Sequence, residues 1–428
     1  MQTADVVIIG GGPAGAAAAW ALHRADPSLS MVILEKNQTL AAGTSMASLE
    51  NFRTCWAAAC LMKMMLRSVE IFHHPEAYFE GDTHLGVRQQ GYLFCGMSEA
   101  DERRLRSEVA HLHSVGLRHV EFLDADEVRY RFPWAGDRVI AAKYDPVAGW
   151  LDSNGLIHAL ARTSGADIVF NASAVQIQVT GGAVSGVTHS QGSIAARKVI
   201  IAAGPDSRAV GQTAGVDLPL IVRPRQSFTT PWRHPEFPPD APTLIGAPPF
   251  PHVRPEARDG AIFGWEYHWN TRRLDGAGSS RDELVEPRYP VSQWKDPRFP
   301  SMALLLLARQ FGHRDGEGFA SGNYLRRIDH RAGYYTFRDS TNAYVTRPDG
   351  SRQPYESQRA ILDAVPGVDG LFASVAHVGH GIMSAPAAGE IIAARVLGLP
   401  LPDPDFAAFG YEVPFVEHDS GGLTPNAD

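Results

Sequence analysis

A glycine-rich turn between a short apolar strand and a small-residue helix is the feature that most constrains the fold. The β-branched run at 6–9 has the pattern of a strand buried on both faces. It leads directly into the sequence GGGPAG at 10–15, and a helix-forming stretch follows at 16–24. A second apolar run, at 31–34, ends at Glu35. This order predicts a βαβ unit whose turn binds a phosphate.

Each glycine of the turn has its own physical task. Gly10 permits the tight turn, Gly12 lets the backbone approach a pyrophosphate, and Gly15 lets the helix pack close to the strand. Glu35 lies about 25 residues beyond Gly10, a spacing suited to a carboxylate that binds ribose hydroxyls. The segment therefore predicts dinucleotide binding, with a βαβ unit that binds nothing as the alternative. By itself it leaves FAD and NAD both open.

Charge and composition argue against several classes of protein. The chain has 428 residues and a net charge of −8, which gives no general attraction to nucleic acid or to anionic membranes. No stretch approaches the roughly 18 apolar residues that span a bilayer. Cys55, Cys60 and Cys95 are too few for a disulfide scaffold and form no CxxC pair, so we expect no metal site. The simplest location is a reducing cytoplasm.

Later segments resemble a known flavoprotein family. The sequence KVIIAAG at 198–204 resembles the strand at which two-dinucleotide-fold flavoproteins pass close to FAD, and Val175 resembles the position whose backbone meets the adenine. The sequence GHGIMSAP at 379–386 resembles the GHGxxxAP segment of the D-amino-acid oxidase (DAO) superfamily, which includes sarcosine and glycine oxidases. There, backbone N–H groups and a helix dipole stabilise the negative charge of reduced flavin.

Three further motifs agree with this resemblance. The sequence GTS at 43–45, followed by Arg53, is similar to the stretch that wraps the flavin and sends an arginine into the site. The sequence GWLD at 149–152 and the RPE…GAIFG hairpin at 254–264 also look like family segments. The motifs span 5–395 in the family's order, so the resemblance covers nearly the whole chain.

The resemblance implies an α/β fold built from two interleaved domains. One is a two-dinucleotide-fold (Rossmann-type) FAD domain, as in glutathione reductase, and the other is a substrate domain with a mixed antiparallel β-sheet. The expected segments are 1–80, 145–215 and 325–412 for the FAD domain, 81–144 and 216–324 for the substrate domain, and 413–428 for a C-terminal tail.

The same resemblance, carried over residue by residue, implies the FAD site. Relatives that bind FAD covalently use a cysteine just before a Tyr-Thr pair, where this chain has Gly333, so we expect non-covalent FAD. The implied cofactor-binding residues are Gly10, Gly12, Pro13, Ala14, Gly15, Glu35, Lys36, Thr44, Ser45, Val175, Ala203, Gly204, Gly379, Gly381, Ile382 and Met383.

The implied reaction is oxidation of the C–N bond of an amine or amino acid. In this superfamily a hydride passes to flavin N5, and the imine product hydrolyses, so no catalytic base is required. The electron acceptor is O₂ or an electron-transfer partner, and the oligomeric state stays open. The alternatives are 2-hydroxy acid oxidation, a flavin monooxygenase and a non-enzymatic FAD-bound assembly protein. The Gly-Asp segment of monooxygenases is absent at 369–374.

Side chains are assigned to the site on the same basis. Arg53 is expected to bind a substrate carboxylate through two parallel hydrogen bonds, with an ordinary ion pair as the alternative. His380 and His268 are the other catalytic candidates, and a backbone hydrogen bond is the alternative for His380. The candidate substrate-binding residues are Trp265, Glu266, Tyr267, Tyr334 and Met383.

The strand predicted at 263–269 alternates aromatic residues on one face with Gly264 and polar residues on the other. Which face lines the site stays open. Gly264 stands where sarcosine oxidase relatives carry a lysine that promotes reaction with oxygen, and Met383 stands where a second lysine holds the carboxylate. The resemblance therefore does not extend to fast oxidase activity or to a small substrate held by two cations.

Overall fold

The structure is a computed structural model in which side chains and backbone are described for most of the chain. The described residues are 2–81, 83–265, 284–339, 344–346, 350, 352–354, 357–412 and 416.

The described residues form helices and strands throughout. The strands are β1 (Gln2–Thr3), β2 (Val6–Ile9), β3 (Met31–Leu34), β4 (Asn51–Phe52), β5 (Tyr92–Gly96), β6 (Glu121–Asp124), β7 (Ala141–Asp145), β8 (Gly149–Trp150), β9 (Asp167–Val169), β10 (Gln176–Thr180), β11 (Ala183–His189), β12 (Gly192–Ala195), β13 (Lys198–Ile201), β14 (Leu220–Thr230), β15 (Thr243–Ile245), β16 (His252–Glu256), β17 (Gly260–Gly264), β18 (Asp329–Arg338), β19 (Tyr344–Thr346), β20 (Arg352–Pro354), β21 (Ile361–Ala364) and β22 (Leu371–Val375). The helices are α1 (Pro13–Ala25), α2 (Ala59–His73), α3 (Pro75–Tyr78), α4 (Glu99–Ser114), α5 (Ala125–Arg131), α6 (Ser153–Arg162), α7 (Ser207–Thr213), α8 (Phe299–Phe311) and α9 (Gly381–Leu397).

A six-stranded sheet in the order β21-β22-β13-β2-β3-β9 contains the N-terminal βαβ unit. All four residues of β2 are buried: Val6 and Ile8 pack in one hydrophobic core with α1 and α9, and Val7 and Ile9 pack in another. The second core also contains residues of the four-stranded sheet β1-β12-β11-β10. This burial on both faces explains why the strand is a continuous apolar run.

Helices α1 and α9 pack unusually closely above this sheet. Helix α1 carries buried alanines at 16–19, and α9 contributes the buried Gly389. A Cβ atom at Gly389 would meet the backbone carbonyl of Ala17. The two helices therefore cross nearly backbone to backbone, which fixes where the N-terminus of α9 lies relative to the glycine turn.

An eight-stranded sheet, in the order β18-β14-β17-β16-β15-β5-β7-β6, forms the second layer. Its pairs are antiparallel except for the parallel pair β15–β5. One face packs against α8 and carries an aromatic core that includes Phe228 and Phe263, whose rings stack at 4.7 Å. The other face carries Phe94, which belongs to the core shared with α1, α2 and α9.

The predicted fold class is confirmed: a Rossmann-type layer is interleaved in sequence with a mixed, mainly antiparallel sheet. The division into domains at the predicted boundaries stays a proposal. Strand β18, which the sequence division assigns to the FAD domain, is paired with β14 in the large sheet from Asp329 to Arg338.

The strand predicted at 263–269 ends earlier than the alternation suggests. Strand β17 ends at Gly264, with Phe263 in the aromatic core and Trp265 buried in the same core. Gly264 faces the opposite side, where a Cβ would meet His252. Glu266, Tyr267 and His268 lie outside the described residues, so their predicted roles stay predictions.

The described part of the chain contains neither a membrane-spanning helix nor a metal-binding cluster. No described helix is both long enough and apolar enough to cross a bilayer. No group of three or more His, Cys, Asp or Glu side chains in the described ranges is arranged to hold a metal ion.

Candidate functional site

The glycine turn has the geometry that a bound phosphate requires. Gly10 has a φ of +116°, and a Cβ there would meet the carbonyl of Ala202 on the neighbouring strand. Gly15 lies against the carbonyl of Gly10. Gly12, by contrast, caps α1 with an extended backbone and no side-chain cap, and a Cβ there would enter open space. The N-terminus of α1 therefore faces open space beside a residue without a side chain.

Glu35 is held at the carboxyl end of β3. Its side chain is buried, with Oε2 accepting the N–H of Gly11 at 2.8 Å and Oε1 accepting the N–H of Asn37 at 2.8 Å. These bonds hold the carboxylate beside the turn, where a ribose is expected. Lys36 is arranged differently, because its Nζ lies 2.6 Å from Asp206 and over the ring of Tyr289. The lysine that we expected at the cofactor is thus paired with a carboxylate of the protein.

The other predicted cofactor segments follow strands β13 and β22 or precede strand β10. Ala203 and Gly204 follow β13 directly, and Gly204 has a φ of +55°. Val175 is partly buried against the core below the four-stranded sheet. Gly381 begins α9, whose N-cap residue is His380, again without a side-chain cap. A second helix N-terminus with unsatisfied N–H groups therefore lies in the predicted site.

Strand β18 joins these segments to the turn at 44–47. The hydroxyl of Thr44 accepts the N–H of Tyr334 at 3.3 Å, and a Cβ at Gly333 would lie 3.1 Å from the Thr44 side chain. The ring of Tyr335 lies against the backbone of Gly379. Ser45 is buried in the same short turn. Thus β18 lies beside both the flavin-wrapping segment and the GHG segment that the sequence analysis identified.

Buried polar atoms without partners mark the same region. Each of these atoms has no hydrogen-bond partner among the described residues, so a polar ligand there would satisfy them. Together with the open space at Gly12 and the two uncapped helix N-termini, they fit a large group with phosphates and a polar ring. These atoms are Asn51 Oδ1, Trp56 Nε1, His380 Nδ1 and Ser384 Oγ.

Arg53 is buried beside aromatic rings, and none of the described carboxylates is its partner. Its guanidinium carbon lies 4.1 Å from the centre of the Trp56 ring and 5.5 Å from that of Phe94. Within the described part of the chain, its one hydrogen bond is a 4.0 Å contact from Nη1 to the sulfur of Cys55. No carboxylate in the described ranges forms an ion pair with it. A buried, permanently charged guanidinium in this state favours an anionic ligand.

His380 is a neutral hydrogen-bonding group in this environment. Its Nε2 donates to the carbonyl of Gln358 at 2.7 Å, which leaves Nδ1 as the acceptor. Its ring packs edge-on against Trp56 with centroids 5.0 Å apart. Burial lowers the pKa of His380 to about 3, and burial lowers the pKa of His377 to about 4. The loop therefore carries no histidine charge at neutral pH.

Three predicted substrate-binding residues have structural partners instead. The hydroxyl of Tyr334 donates to the carbonyl of Arg288 and accepts from Trp294 Nε1. The indole N–H of Trp265 donates to the carbonyl of Pro249 at 3.1 Å, on the aromatic side of the large sheet. Met383 and its neighbour Ile382 are buried in the core between α9 and α1. These placements favour packing over ligand contact.

Sequence reasoning missed Trp56, Phe94 and the buried carboxylate Asp145, which binds the segment next to Arg53. Trp56 could have been predicted from the sequence, because it follows Arg53 by three residues in a segment already assigned to the site. No neighbouring sequence motif indicated that Phe94 or Asp145 belongs to the site. They reach the site only because β5 and β7 lie side by side in the large sheet.

Comparison with known proteins agrees with this geometry. The family model described as "DAO: FAD dependent oxidoreductase" matches residues 5–395. Sarcosine oxidase subunit beta of Rhizobium meliloti (strain 1021) is 27% identical over 72% of this chain and 73% of its own length. Human mitochondrial sarcosine dehydrogenase is 30% identical over 52% of this chain, but the match covers only 25% of that protein.

A solved structure shows the same fold over nearly the whole chain. The L-proline dehydrogenase from P. horikoshii has a TM-score of 0.73 and 18% identity, covering 96% of this chain and 97% of its own. The predictions of an enzyme, of FAD as its cofactor and of an amine or amino-acid oxidoreductase agree with these relatives. The chain belongs to the DAO family of FAD-dependent oxidoreductases.

Proposed function

We propose that this chain oxidises the C–N bond of an amino acid whose carboxylate is bound by Arg53. The observation that carries the proposal is the buried guanidinium, which pairs with no carboxylate of the residues that the structure describes. The relatives support the substrate class, since their names specify sarcosine and L-proline, which are amino acids with a secondary amine.

FAD, when bound, supplies the two-electron acceptor for a hydride from the carbon that bears the nitrogen. The side chains of this protein bind and orient the substrate. Arg53 donates two parallel N–H bonds to the carboxylate, and the Trp56 ring under the guanidinium fixes its plane. The substrate nitrogen first releases its ammonium proton to solvent, so that it carries a lone pair. The neighbouring carbon then loses a hydride, and the lone pair completes the C=N bond of an iminium. Water hydrolyses this iminium to a carbonyl compound and an amine.

The α9 N-terminus supplies electrostatic stabilisation. Its uncapped N–H groups and the helix dipole favour negative charge where the flavin pyrimidine is expected. Neutral His380 keeps a second positive charge out of this loop and presents Nδ1 as an acceptor. Gly12, Glu35 and Gly204 are the residues that we assign to the pyrophosphate and ribose side of the cofactor.

The compartment and the electron acceptor are part of the same proposal. No disulfide joins the three buried cysteines, which agrees with a reducing compartment such as the cytoplasm. Gly264 stands where sarcosine oxidase relatives carry a lysine that promotes reaction with oxygen, so this chain has no lysine at that position. The titratable side chain next to Gly264 is that of His252. We therefore assign the chain as a dehydrogenase that passes electrons to an acceptor other than O₂.

Anaerobic bleaching of the flavin tests the proposal with substrates matched in pairs. We expect sarcosine or L-proline to bleach the bound flavin, and their decarboxylated counterparts, dimethylamine and pyrrolidine, to bleach it at least about tenfold more slowly, because only the amino acids pair with Arg53. Slow recolouring in air would support the dehydrogenase. Bleaching by 2-hydroxy acids alone, or equal rates within each pair, would contradict the proposal.

Replacing Arg53 by methionine tests the carboxylate contact directly. We expect Arg53→Met to raise KM for the amino acid by more than about tenfold, because a bidentate charged pair is lost, while FAD remains bound. Steady-state kinetics with the best substrate of the bleaching panel measures the effect. Arg106→Met is the matched control, since its guanidinium also stacks on a ring, that of Phe122 at 4.0 Å, but lies on the outer surface of α4. An unchanged KM in Arg53→Met would exclude the contact.

Replacing His380 by glutamine tests whether this histidine titrates during turnover. Because its pKa is about 3, it stays neutral from pH 5 to pH 8 and adds no bend to the pH profile there. We expect His380→Gln to lower kcat/KM by a constant factor across that range, with apparent pKa values unchanged. The control is His189→Gln on the four-stranded sheet. Loss of an apparent pKa near 6.5 in His380→Gln alone would show that His380 acts as a base.

Replacing Gly12 by alanine tests the phosphate site without relying on activity. The added Cβ enters open space, so the free energy of unfolding of the apoprotein should change by no more than about 1 kcal/mol. FAD affinity, measured by flavin fluorescence, should fall by about tenfold or more because the methyl group blocks the close approach of the pyrophosphate.

Two variants serve as references for this measurement. Gly322→Ala also adds a Cβ in open space and should alter neither quantity. Gly15→Ala places its Cβ against the carbonyl of Gly10 and should destabilise the apoprotein by about 1–3 kcal/mol. Unchanged FAD affinity in Gly12→Ala would place the pyrophosphate elsewhere.

A further inference from the structure

We propose that Asp145 is a positioning residue for substrate binding, which holds the backbone next to Arg53 so that the guanidinium faces the substrate carboxylate. The inference rests on the proposed function, because it needs Arg53 to bind that carboxylate. It goes beyond that function by assigning a role to a residue of the large sheet that does not itself touch the substrate.

Asp145 is the last residue of β7, and its side chain is fully buried. Its Oδ2 accepts the N–H of Thr54 at 2.8 Å and the N–H of Cys55 at 3.1 Å. It also accepts the hydroxyl hydrogen of Thr54 at 2.8 Å, and Oδ1 accepts the N–H of Val147 at 3.2 Å. Both carboxylate oxygens are thus engaged, and neither is paired with Arg53.

His119 extends this arrangement toward the surface. Thr54 Oγ1 has a single hydrogen, which it donates to Asp145, so it must accept from His119 Nε2 at 2.7 Å. The same nitrogen lies 3.5 Å from Asp145 Oδ1. The hydrogen-bond chain therefore runs from His119 through Thr54 to Asp145. Although burial opposes it, these hydrogen bonds lower the pKa of Asp145. The carboxylate is therefore charged at neutral pH.

The hydrogen bonds of Asp145 orient Arg53 because of the chain segment to which they are made. Residues 53–58 connect β4 to α2 without regular secondary structure, so packing alone does not fix the peptide planes there. Asp145 binds two consecutive N–H groups of this segment, directly after Arg53 and directly before Trp56. The two side chains that stack on each other thus flank a backbone held by one carboxylate.

Strand register places Asp145 and Phe94 on the same face of the large sheet. Asp145 is paired with Tyr92 on β5, and Phe94 follows two residues later on the same face. Phe94 is the second ring beside the Arg53 guanidinium. Asp145 on β7 therefore holds the backbone next to Arg53, and Phe94 on the paired strand β5 contacts the Arg53 side chain.

A double-mutant cycle with Arg53 tests the proposal on the FAD-loaded enzyme. The variants are Asp145→Asn, Arg53→Met and the combination, and the readouts are KM, kcat and the Kd of propanoate measured from the change in flavin absorbance. Propanoate carries a carboxylate but no nitrogen, so it binds without being oxidised. Asp124→Asn is the matched control, because that carboxylate also accepts two backbone N–H groups but lies at the start of α5.

We expect Asp145→Asn to raise KM and the Kd of propanoate by about tenfold, the equivalent of one charged hydrogen bond, with kcat changed by less than about threefold. The same substitution should have no further effect in the Arg53→Met background, because its action passes through Arg53. Equal losses in both backgrounds, or a loss of kcat alone, would overturn the positioning role and leave the proposed function intact. An unchanged Kd in Arg53→Met would overturn the proposed function itself, and the positioning role with it.

Thr54 gives a second test if Asp145→Asn does not fold. Thr54→Val removes the hydroxyl that links His119 to Asp145, and Thr54→Ser keeps it. We expect the Kd of propanoate to rise by about fivefold in Thr54→Val and to stay within about twofold of the wild-type value in Thr54→Ser. Equal Kd values in the two variants, or a larger rise in Thr54→Ser than in Thr54→Val, would overturn the proposal, since a merely space-filling role predicts that the isosteric valine is tolerated and the smaller serine is not.

Discussion

The close backbone contact between the glycine turn and the adjacent strand is the constraint on which the rest of the structure depends. Gly10 lies against the Ala202 carbonyl, and Gly15 lies against the carbonyl of Gly10, with no room for side chains. This contact holds β2, α1 and β13 together at the carboxyl edge of the six-stranded sheet. The close crossing of α1 and α9 at Gly389 then places the second helix N-terminus at the same edge. Two uncapped helix N-termini facing one edge form a site suited to a large anionic cofactor.

The proposed substrate site differs from the rest of the structure in how its buried charged side chain is paired. Arg254 is buried with Glu256 and Glu50 as partners, and Lys143 is buried with Glu108. Asp145 is buried with its oxygens bound by N–H and O–H donors. Arg53 differs because aromatic rings surround it and no carboxylate of the described residues pairs with it. A buried charge without a partner is unfavourable, so a site that keeps one is suited to a ligand that supplies the opposite charge.

Sequence reasoning was most successful where function is encoded in contiguous motifs. The GGGPAG turn, the AAG segment and the GHG segment predicted an FAD-dependent oxidoreductase, and the family match confirms it. It was least successful for the strand at 263–269, where alternation alone did not show that β17 ends at Gly264 and that Trp265 is buried in the aromatic core. Tyr334 was a plausible ligand by position, but its hydroxyl bonds the segment near Arg288, a contact between residues far apart in sequence.

The sequence by itself determined the dinucleotide-binding unit, the family and the chemistry of the cofactor. Glycine, proline and β-branched residues act through local backbone geometry, which neighbouring residues already specify. Only the tertiary structure decided which polar side chains share the site. Arg53 is held by Phe94 from β5 and by Asp145 from β7, and these strands meet the segment after β4 only when the large sheet has formed. The reason is physical: hydrogen bonds and charge pairing act over a few ångströms in space, irrespective of the separation of their partners along the chain.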